Sequence, residues 1–301
     1  MLRNLLQEHA VSTTALLANY WKSEARCEKN WDRLCQKKGA RAKDLFKDKL
    51  NVMEKFIDEE VVREGKDRLD KNMWLPLATR TRFFRKTVSK HVKNGQAEQV
   101  IILGCGFDTL SMSKKKYSAE FKTKFFEIDQ PNVLACKKAI LEKCEMDTNA
   151  TYIPLDYVKG DLCEALRQAG VDFTKPTLIL WEGNTFYLER DDVIATLKKL
   201  SSSFDKLVLS FDYMHGTMQT KTNELDTNAN SQALENTLTA FEKKKSPFKS
   251  FFDPTDMNAI CEALGLTLVD RQSTADLAIL YDVDRDPYYT AKPYSVTTFK
   301  K

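Results

Sequence analysis

The stretch VIILGCG, residues 100–106, decides the predicted fold. Its first four residues are a short apolar run rich in β-branched side chains, which is typical of a strand buried in a parallel sheet. Gly104 and Gly106 then let the chain turn sharply and let its backbone approach a ligand. We therefore predict the first strand of an α/β domain here, with a ligand-contacting turn at its carboxyl end.

Strands and helices are predicted to alternate after this first strand. Further apolar runs of strand length lie at 124–128, 151–155, 177–181 and 206–211. Between them, helix signals lie at 131–144, 161–169 and 193–200. Such alternation of helices with short apolar strands predicts a parallel sheet covered by helices on both faces.

The last part of the chain breaks this alternation. Asp253 and Pro254 are typical of a helix start, and two strands are predicted after that helix at 266–269 and 277–281. About seven residues separate these strands, whereas a parallel crossover needs about a dozen or more, so we expect them to pair antiparallel. Five parallel strands, a helix and an antiparallel hairpin give the order of the class I methyltransferase sheet, a seven-stranded Rossmann-like α/β fold. A dinucleotide-binding Rossmann sheet would instead end on another parallel strand.

The 301 residues allow two domains or one large α/β domain with additions, and the pattern favours the second. Residues 1–95 are predicted to form a helical N-terminal extension, because charged and apolar residues are mixed there without β-branched runs. The methyltransferase domain is expected over 96–301. Within it, the polar segment 213–252 is an insertion near the substrate site, which either forms a cap with the N-terminal helices or is a solvated surface excursion.

The composition of the chain indicates which kinds of partner and which cellular compartment to expect. The 47 basic and 43 acidic side chains leave a formal net charge of +4, which gives little support to a nucleic-acid or membrane-surface partner. The apolar runs are too short for a membrane span, which needs roughly 20 residues. The three histidines and seven cysteines show no metal-ligand spacing, so no metal site is predicted. Scattered thiols and the lack of a secretory signal pattern predict a cytoplasmic protein.

The turn after the first strand favours a ligand without phosphate. A dinucleotide fingerprint places Gly or Ala three residues after its second glycine, where this chain has Thr109. Asp108 lies in the same turn and would repel a pyrophosphate. The turn therefore disfavours NAD or FAD and suits a ligand that carries positive charge.

Four charged residues are predicted near the ligand crevice. Asp129 closes the second strand, where it either accepts both ribose hydroxyls of an adenosyl group or caps the helix at Pro131, and the residues alone leave both open. Asp156 closes the third strand in the same way and suits an adenine amino group. Glu182 follows the fourth strand and suits an α-ammonium or a sulfonium group. Arg80 precedes the sheet and either offers a fork to a carboxylate or belongs to a surface charge cluster.

Seven segments, spread over nearly the whole chain, carry a resemblance to a known family. They are 11–16 (VSTTAL), 42–48 (AKDLFKD), 78–84 (ATRTRFF), 100–109 (VIILGCGFDT), 126–131 (FEIDQP), 181–188 (WEGNTFYL) and 252–254 (FDP). Together they resemble the leucine carboxyl methyltransferase family of S-adenosylmethionine-dependent enzymes. The first-strand motif with its trailing Phe-Asp-Thr, followed later by Asp-Gln-Pro, is specific when found in that order.

The resemblance implies S-adenosylmethionine as the cofactor and assigns its binding residues by position. The matching positions are Arg80 for the methionyl carboxylate, Gly104 for the methionine portion, Asp129 for the ribose, Asp156 with Tyr157 beside the adenine, and Glu182 as the acid after the fourth strand. The resemblance therefore favours the ribose role of Asp129. The stretch 44–48 resembles the bacterial-type branch, and Tyr157 stands where the eukaryotic enzyme acting on the phosphatase 2A C-terminus has Leu. That substrate is therefore not transferred to this chain.

The expected reaction is displacement of the sulfonium methyl group by an oxygen of a carboxyl or hydroxyl group, on a small molecule or a protein C-terminus. A carboxylate is ionised at neutral pH, since its pKa is about 4, and needs no general base. None of His9, His91 and His215 lies in a predicted strand-end motif, so no catalytic residue is assigned. The alternatives are a nucleotide-dependent oxidoreductase of Rossmann type, which Asp108 and Thr109 oppose, and a catalytically silent cofactor-binding module.

Overall fold

The computed structural model describes residues 74–108, 110–112, 123–143, 150–216, 247–281 and 294–301. Most of the N-terminal extension expected over 1–95 lies outside these residues. So does most of the insertion expected over 213–252, together with Thr109 in the first turn. The two-part domain division and the cap therefore stay predictions.

Strands and helices alternate through the described part of the chain. Its strands are β1 (Gln99–Leu103), β2 (Lys124–Asp129), β3 (Thr151–Pro154), β4 (Thr177–Trp181), β5 (Leu207–Met214), β6 (Thr267–Ser273) and β7 (Tyr294–Lys300). Its α-helices are α1 (Trp74–Lys93), α2 (Pro131–Lys143), α3 (Leu162–Gln168), α4 (Arg190–Ser203), α5 (Pro254–Ala263) and α6 (Thr274–Leu280). Two short 3-10 turns lie at Leu110–Met112 and Thr185–Tyr187.

The strands form one sheet in the order β3-β2-β1-β4-β5-β7-β6. Neighbouring strands from β3 to β5 pair parallel, and β7 pairs antiparallel with both β5 and β6. This confirms the predicted class I methyltransferase sheet, including the antiparallel pairing of the last two strands. The strand order reverses between β1 and β4, and ligands of open α/β sheets bind outside the carboxyl ends of the strands at such a point.

The position of the last strand differs from the prediction. Residues 277–281, predicted as a strand, lie at the end of α6, and the seventh strand is instead β7. A capping box starts α6: the Ser273 hydroxyl accepts from the Asp276 N–H, while the Asp276 carboxylate accepts from the Ser273 N–H. Leu277 and Tyr281, one helical turn apart, are both buried. The capping signal thus outweighs the short apolar run.

Helices cover both faces of the sheet, as predicted. In β4 all five residues are buried, and the last four alternate between two hydrophobic clusters. Leu178 and Leu180 face the cluster that includes Val88 of α1, whereas Ile179 and Trp181 face the cluster that includes residues of α3, α4 and α5. Burial on both faces explains why this strand is apolar at successive positions. None of the described helices combines the length and the hydropathy needed to cross a membrane.

Candidate functional site

The guanidinium of Arg80 lies buried among β4, β5 and β7, where α1 places it. Its Nε donates to Glu182 Oε1 at 3.1 Å and its Nη1 donates to Tyr294 Oη at 3.0 Å. Nη1 also lies 3.3 Å from Asp212 Oδ2. Only 6% of the Arg80 side chain is exposed, so it is not part of a surface charge cluster. Burial alone would lower the pKa of Arg80, but Tyr294, Asp212 and Glu182 raise it, and the guanidinium stays charged.

Asp212, in β5, is a site residue that the sequence prediction missed. Both of its oxygens accept the Gly183 N–H, at 2.8 and 3.0 Å, and the Tyr294 hydroxyl donates to Oδ2. Burial raises the pKa of the Asp212 carboxyl to about 6 although Arg80 lowers it. The signal in the sequence is an acid inside a strand that is otherwise mostly apolar, because an unpaired buried carboxylate is costly.

Gly104 and Glu182 are joined through Asn184, a second residue that the prediction passed over. The Asn184 amide donates to the carbonyl oxygens of Gly104 and Glu182 at 2.9 and 3.0 Å. Gly104 has a φ of 67°, and a Cβ built there would lie 2.4 Å from Asn184 Nδ2. Both the positive φ and the close approach of Asn184 therefore favour glycine at this position, where the turns after β1 and β4 contact each other.

Asp129, at the end of β2, is bound to the first glycine turn. Its Oδ2 accepts the Gly106 N–H at 2.6 Å and its Oδ1 accepts the Gln130 N–H at 2.7 Å. Burial raises the pKa of Asp129, while these two N–H groups lower it. A carboxylate offers about four acceptor sites, so the group retains capacity for ribose hydroxyls.

Asp156 and Tyr157 lie after β3, beside the same sheet edge. Asp156 Oδ1 accepts the Val158 N–H at 3.2 Å and so shapes its own turn. The Tyr157 hydroxyl accepts from Trp181 Nε1 at 3.1 Å, and the two rings meet edge to face at 6.2 Å. Arg80, Gly104 and Glu182 thus form one connected cluster, whereas Asp156 and Tyr157 follow β3, which is separated from β1 by β2.

A fully buried ion pair lies beneath the first glycine turn and was also missed. Lys137 Nζ of α2 donates to Glu127 Oε2 of β2 at 2.5 Å and to the Asp108 carbonyl oxygen at 2.7 Å. The Ser111 hydroxyl donates to the other Glu127 oxygen. Both charged side chains are 0% exposed. The pair therefore joins the turn to β2 and α2, two residues from Asp129.

His215 lies directly after β5, because this strand extends to Met214 rather than ending at Phe211. The expectation that no histidine lies at a strand end is therefore wrong. His215 Nε2 is 2.8 Å from Ser295 Oγ, and its ring packs 5.8 Å from the Tyr213 ring. Burial lowers the pKa of His215 to about 4, so the imidazole is neutral at neutral pH.

We expect His215 to make the protein less stable in acid. The unfolded chain protonates His215 near its ordinary pKa of 6.5, whereas the folded chain resists protonation until about 4. This difference lowers the free energy of unfolding as the pH decreases from 6.5 to 4, whereas the Asp212 carboxyl, whose folded pKa of about 6 lies above its ordinary value of 3.8, acts in the opposite direction. The contribution of His215 is therefore the difference between the parent chain and His215→Gln, and the parent chain should lose more stability, or gain less, toward pH 4. Urea unfolding at several pH values in this window measures both slopes. Equal slopes would show that His215 is not the group responsible.

Comparison with known proteins agrees with this architecture. A model of the family described as leucine carboxyl methyltransferase matches residues 27–201, a segment that contains Arg80, Gly104, Asp129 and Glu182. The chain belongs to the leucine carboxyl methyltransferase family. This confirms the resemblance inferred from the sequence motifs.

Two curated relatives of this family member are bacterial proteins, in agreement with the predicted likeness to the bacterial-type branch. One, from Mycobacterium ulcerans (strain Agy99), is named "Putative S-adenosyl-L-methionine-dependent methyltransferase" and is 32% identical over 141 residues, which are 46% of this chain and 45% of that protein. Another of the same name, from Mycolicibacterium smegmatis, is 36% identical over 115 residues, 38% of this chain and 35% of that protein. The matched part is thus less than half the length of either relative.

Two solved structures share the fold of this family member. A DUF574 family protein from Streptomyces avermitilis superposes with a TM-score of 0.57 at 14% identity, over 76% of this chain and 85% of that chain. A protein from Thermobifida fusca, described as a putative methyltransferase, superposes with a TM-score of 0.56 at 15% identity, over 81% of this chain and 88% of that chain. At these identities the likeness concerns the fold alone.

Proposed function

We propose that this chain binds S-adenosylmethionine at the carboxyl ends of β1 to β4 and transfers its methyl group to an acceptor. The observation that carries this proposal is the open edge of Arg80. Nε and Nη1 are hydrogen-bonded, but no residue in the described ranges accepts a hydrogen bond from Nη2. A Cβ on Gly183 would lie 2.9 Å from Nη2, so this glycine keeps space beside the guanidinium. The Nη2 hydrogens are then left to donate a charge-assisted hydrogen bond to the carboxylate of a ligand.

The charge of the cluster suits the rest of the methionyl group. Arg80 contributes one positive charge, against two negative charges from Glu182 and Asp212. The cluster therefore carries a net negative charge close to the turn that begins at Gly104. An α-ammonium and a sulfonium are both positive, so they favour this position, whereas a pyrophosphate is repelled. This supports S-adenosylmethionine over a dinucleotide.

The adenosyl group is assigned to the neighbouring strand ends. In this proposal Asp129 accepts the ribose hydroxyls, and its carboxylate is bound to the turn whose first glycine is Gly104. Asp156 and Tyr157 follow β3, the next strand outward, and border the adenine in this proposal. Family membership supports these roles, because the positions match the motifs of the leucine carboxyl methyltransferase family.

The bound cofactor supplies an electrophilic methyl group on its sulfonium. The residues of this chain bind and orient the cofactor, and the buried cluster around Arg80 excludes water from its methionyl end. Such orientation and desolvation account for most of the expected rate gain. We propose a carboxyl or hydroxyl oxygen of a small molecule or a protein C-terminus as the acceptor. A carboxylate is supported by its ionisation at neutral pH, since it then needs no general base.

Calorimetric titration of the full chain tests the proposed cofactor. We expect S-adenosylmethionine and its demethylated product, S-adenosylhomocysteine, to bind, and NADH not to bind. Folded protein that binds neither adenosyl compound would overturn the proposal. Incubation with labelled cofactor and candidate acids, phenols and C-terminal peptides then identifies the acceptor class.

Asp129→Asn is expected to weaken S-adenosylhomocysteine binding by about 1–3 kcal/mol, because charged hydrogen bonds to the ribose are lost. Calorimetric titration measures the change. Asp161→Asn is the matched control, since Asp161 caps α3 through the Glu164 N–H and has no role in the proposed site. An unchanged affinity in Asp129→Asn would show that the ribose role is misassigned.

A further inference from the structure

Asp212 and Tyr294 hold one edge of the Arg80 guanidinium. Nη1 contacts both residues, at 3.3 Å from Asp212 Oδ2 and 3.0 Å from Tyr294 Oη, and the Tyr294 hydroxyl donates to Asp212. Asp212 is 0% exposed and Tyr294 is 8% exposed. Family motifs in the sequence assign neither residue a role. Their contacts with Arg80, at 3.3 Å for Asp212 and 3.0 Å for Tyr294, are nevertheless comparable to the 3.1 Å contact of Glu182.

Arg80, Asp212 and Tyr294 lie in separate elements, so the packing of α1 and the pairing of β5 with β7 determine how they are arranged. Asp212 lies in β5, and Tyr294 begins β7 in register with Met214, two residues further along β5. The Gly183 N–H, in the turn after β4, binds both Asp212 oxygens. Asp212 therefore connects the Gly183 turn to Arg80, and Tyr294 connects β7 to both.

Because Nε and Nη1 of Arg80 are held by protein partners, the orientation of Nη2 is also determined. A guanidinium is planar and presents five N–H groups in a rigid fork. Once Nε is bound by Glu182 and Nη1 is bound by Asp212 and Tyr294, the direction of both Nη2 hydrogens is determined. Arginine otherwise has large rotamer freedom, and losing it on binding would weaken a carboxylate interaction.

We propose that Asp212 and Tyr294 are positioning residues that preset Arg80 to bind the carboxylate of the cofactor's methionyl group. This inference rests on the proposed function. It assigns the recognition of the amino-acid end of the cofactor to five contributors: Arg80, Glu182, Gly183, Asp212 and Tyr294. Recognition of the adenosyl end is then independent of Asp212 and Tyr294.

A comparison of two ligands tests this division. S-adenosylhomocysteine carries the amino-acid carboxylate, whereas 5′-methylthioadenosine has the same adenosyl group without it. We expect Tyr294→Phe and Asp212→Asn each to weaken S-adenosylhomocysteine binding by about tenfold or more, as for loss of a hydrogen bond to a charged group. The affinity for 5′-methylthioadenosine should change by less than about twofold, because a substitution that does not interact with the adenosyl site has little effect on binding there.

Tyr281→Phe is the matched control. The Tyr281 hydroxyl is buried, as that of Tyr294 is, but accepts or donates no hydrogen bond within the described part of the chain. Its loss should leave the affinities for both ligands unchanged. Because Tyr294→Phe removes a single oxygen atom, it keeps the test available even where Asp212→Asn prevents folding, which circular dichroism would reveal.

The outcomes separate this inference from the proposed function. Selective loss of S-adenosylhomocysteine affinity in Tyr294→Phe supports the positioning role. Equal loss for both ligands, or no loss for either, would overturn that role while leaving the cofactor assignment in place. If the folded parent chain binds neither ligand, the proposed function fails and this inference fails with it.

Discussion

Lys137→Met is expected to lower the free energy of unfolding by about 3–5 kcal/mol, because it leaves Glu127 charged and unpaired in a buried position. Lys137 and Glu127 are both 0% exposed, and the Lys137 ammonium also binds the Asp108 carbonyl. Urea unfolding at neutral pH measures the change. The glycine turn should loosen as well, so the affinity for S-adenosylhomocysteine should fall in the same variant.

Two further variants show whether the buried charge is the cause. Removing both partners, in Glu127→Leu with Lys137→Met, should recover much of the lost stability, since apolar residues replace buried ion pairs at little cost. Arg167→Met removes a partner of Glu164 in a pair that is 62% and 47% exposed, and such surface pairs contribute little. A loss in Arg167→Met as large as that in Lys137→Met would contradict the explanation.

Gly104→Ala is expected to reduce both stability and cofactor affinity. A φ of 67° costs an L-residue about 1–2 kcal/mol, and the added Cβ would lie 2.4 Å from Asn184 Nδ2. Asn184 must then give up its hydrogen bonds to the Gly104 and Glu182 carbonyls, at about 1 kcal/mol each. We expect S-adenosylhomocysteine binding to weaken by about tenfold or more, as measured by calorimetry.

Gly170→Ala separates the backbone cost of a positive φ from the cost of the clash with Asn184. Gly170 has a φ of 84°, and a Cβ built there has no atom within 4 Å, so only the backbone cost applies. Gly104→Ala should therefore lose more stability than Gly170→Ala. Adding Asn184→Ala to Gly104→Ala should relieve the clash, and an additive loss in that double variant would rule the clash out.

The predictable parts of the molecule are those that local patterns determine. The strand β4 and the turn at Gly183 follow from a run of apolar residues that ends in an acid and a glycine. The start of α5 at Pro254 follows from the Asp and Pro that open it. Each of these signals is complete within a few residues, so no distant partner is needed to interpret it.

The missed features depend on partners far along the chain. Tyr294 is 214 residues from Arg80, and nothing near either residue indicates their contact. The apolar run that predicted β5 ends at Phe211, directly before Asp212, and an unpaired carboxylate is costly inside a sheet. Pairing with Arg80 offsets that cost and lets the strand continue to Met214. The misplaced end of β5 and the wrong expectation for His215 therefore have the same cause.

The position of β7 in the sheet determines which strand edges stay unpaired while the chain is being synthesised. It is the last of the described strands along the chain, yet it lies between β5 and β6. A nascent chain that has not reached residue 294 must hold two strands with open edges, which are sites for wrong pairing with other chains. Arrival of β7 closes both edges, and its first residue, Tyr294, reaches Arg80 in the same step. The closing of these two edges and the contact between Tyr294 and Arg80 therefore both require the last strand.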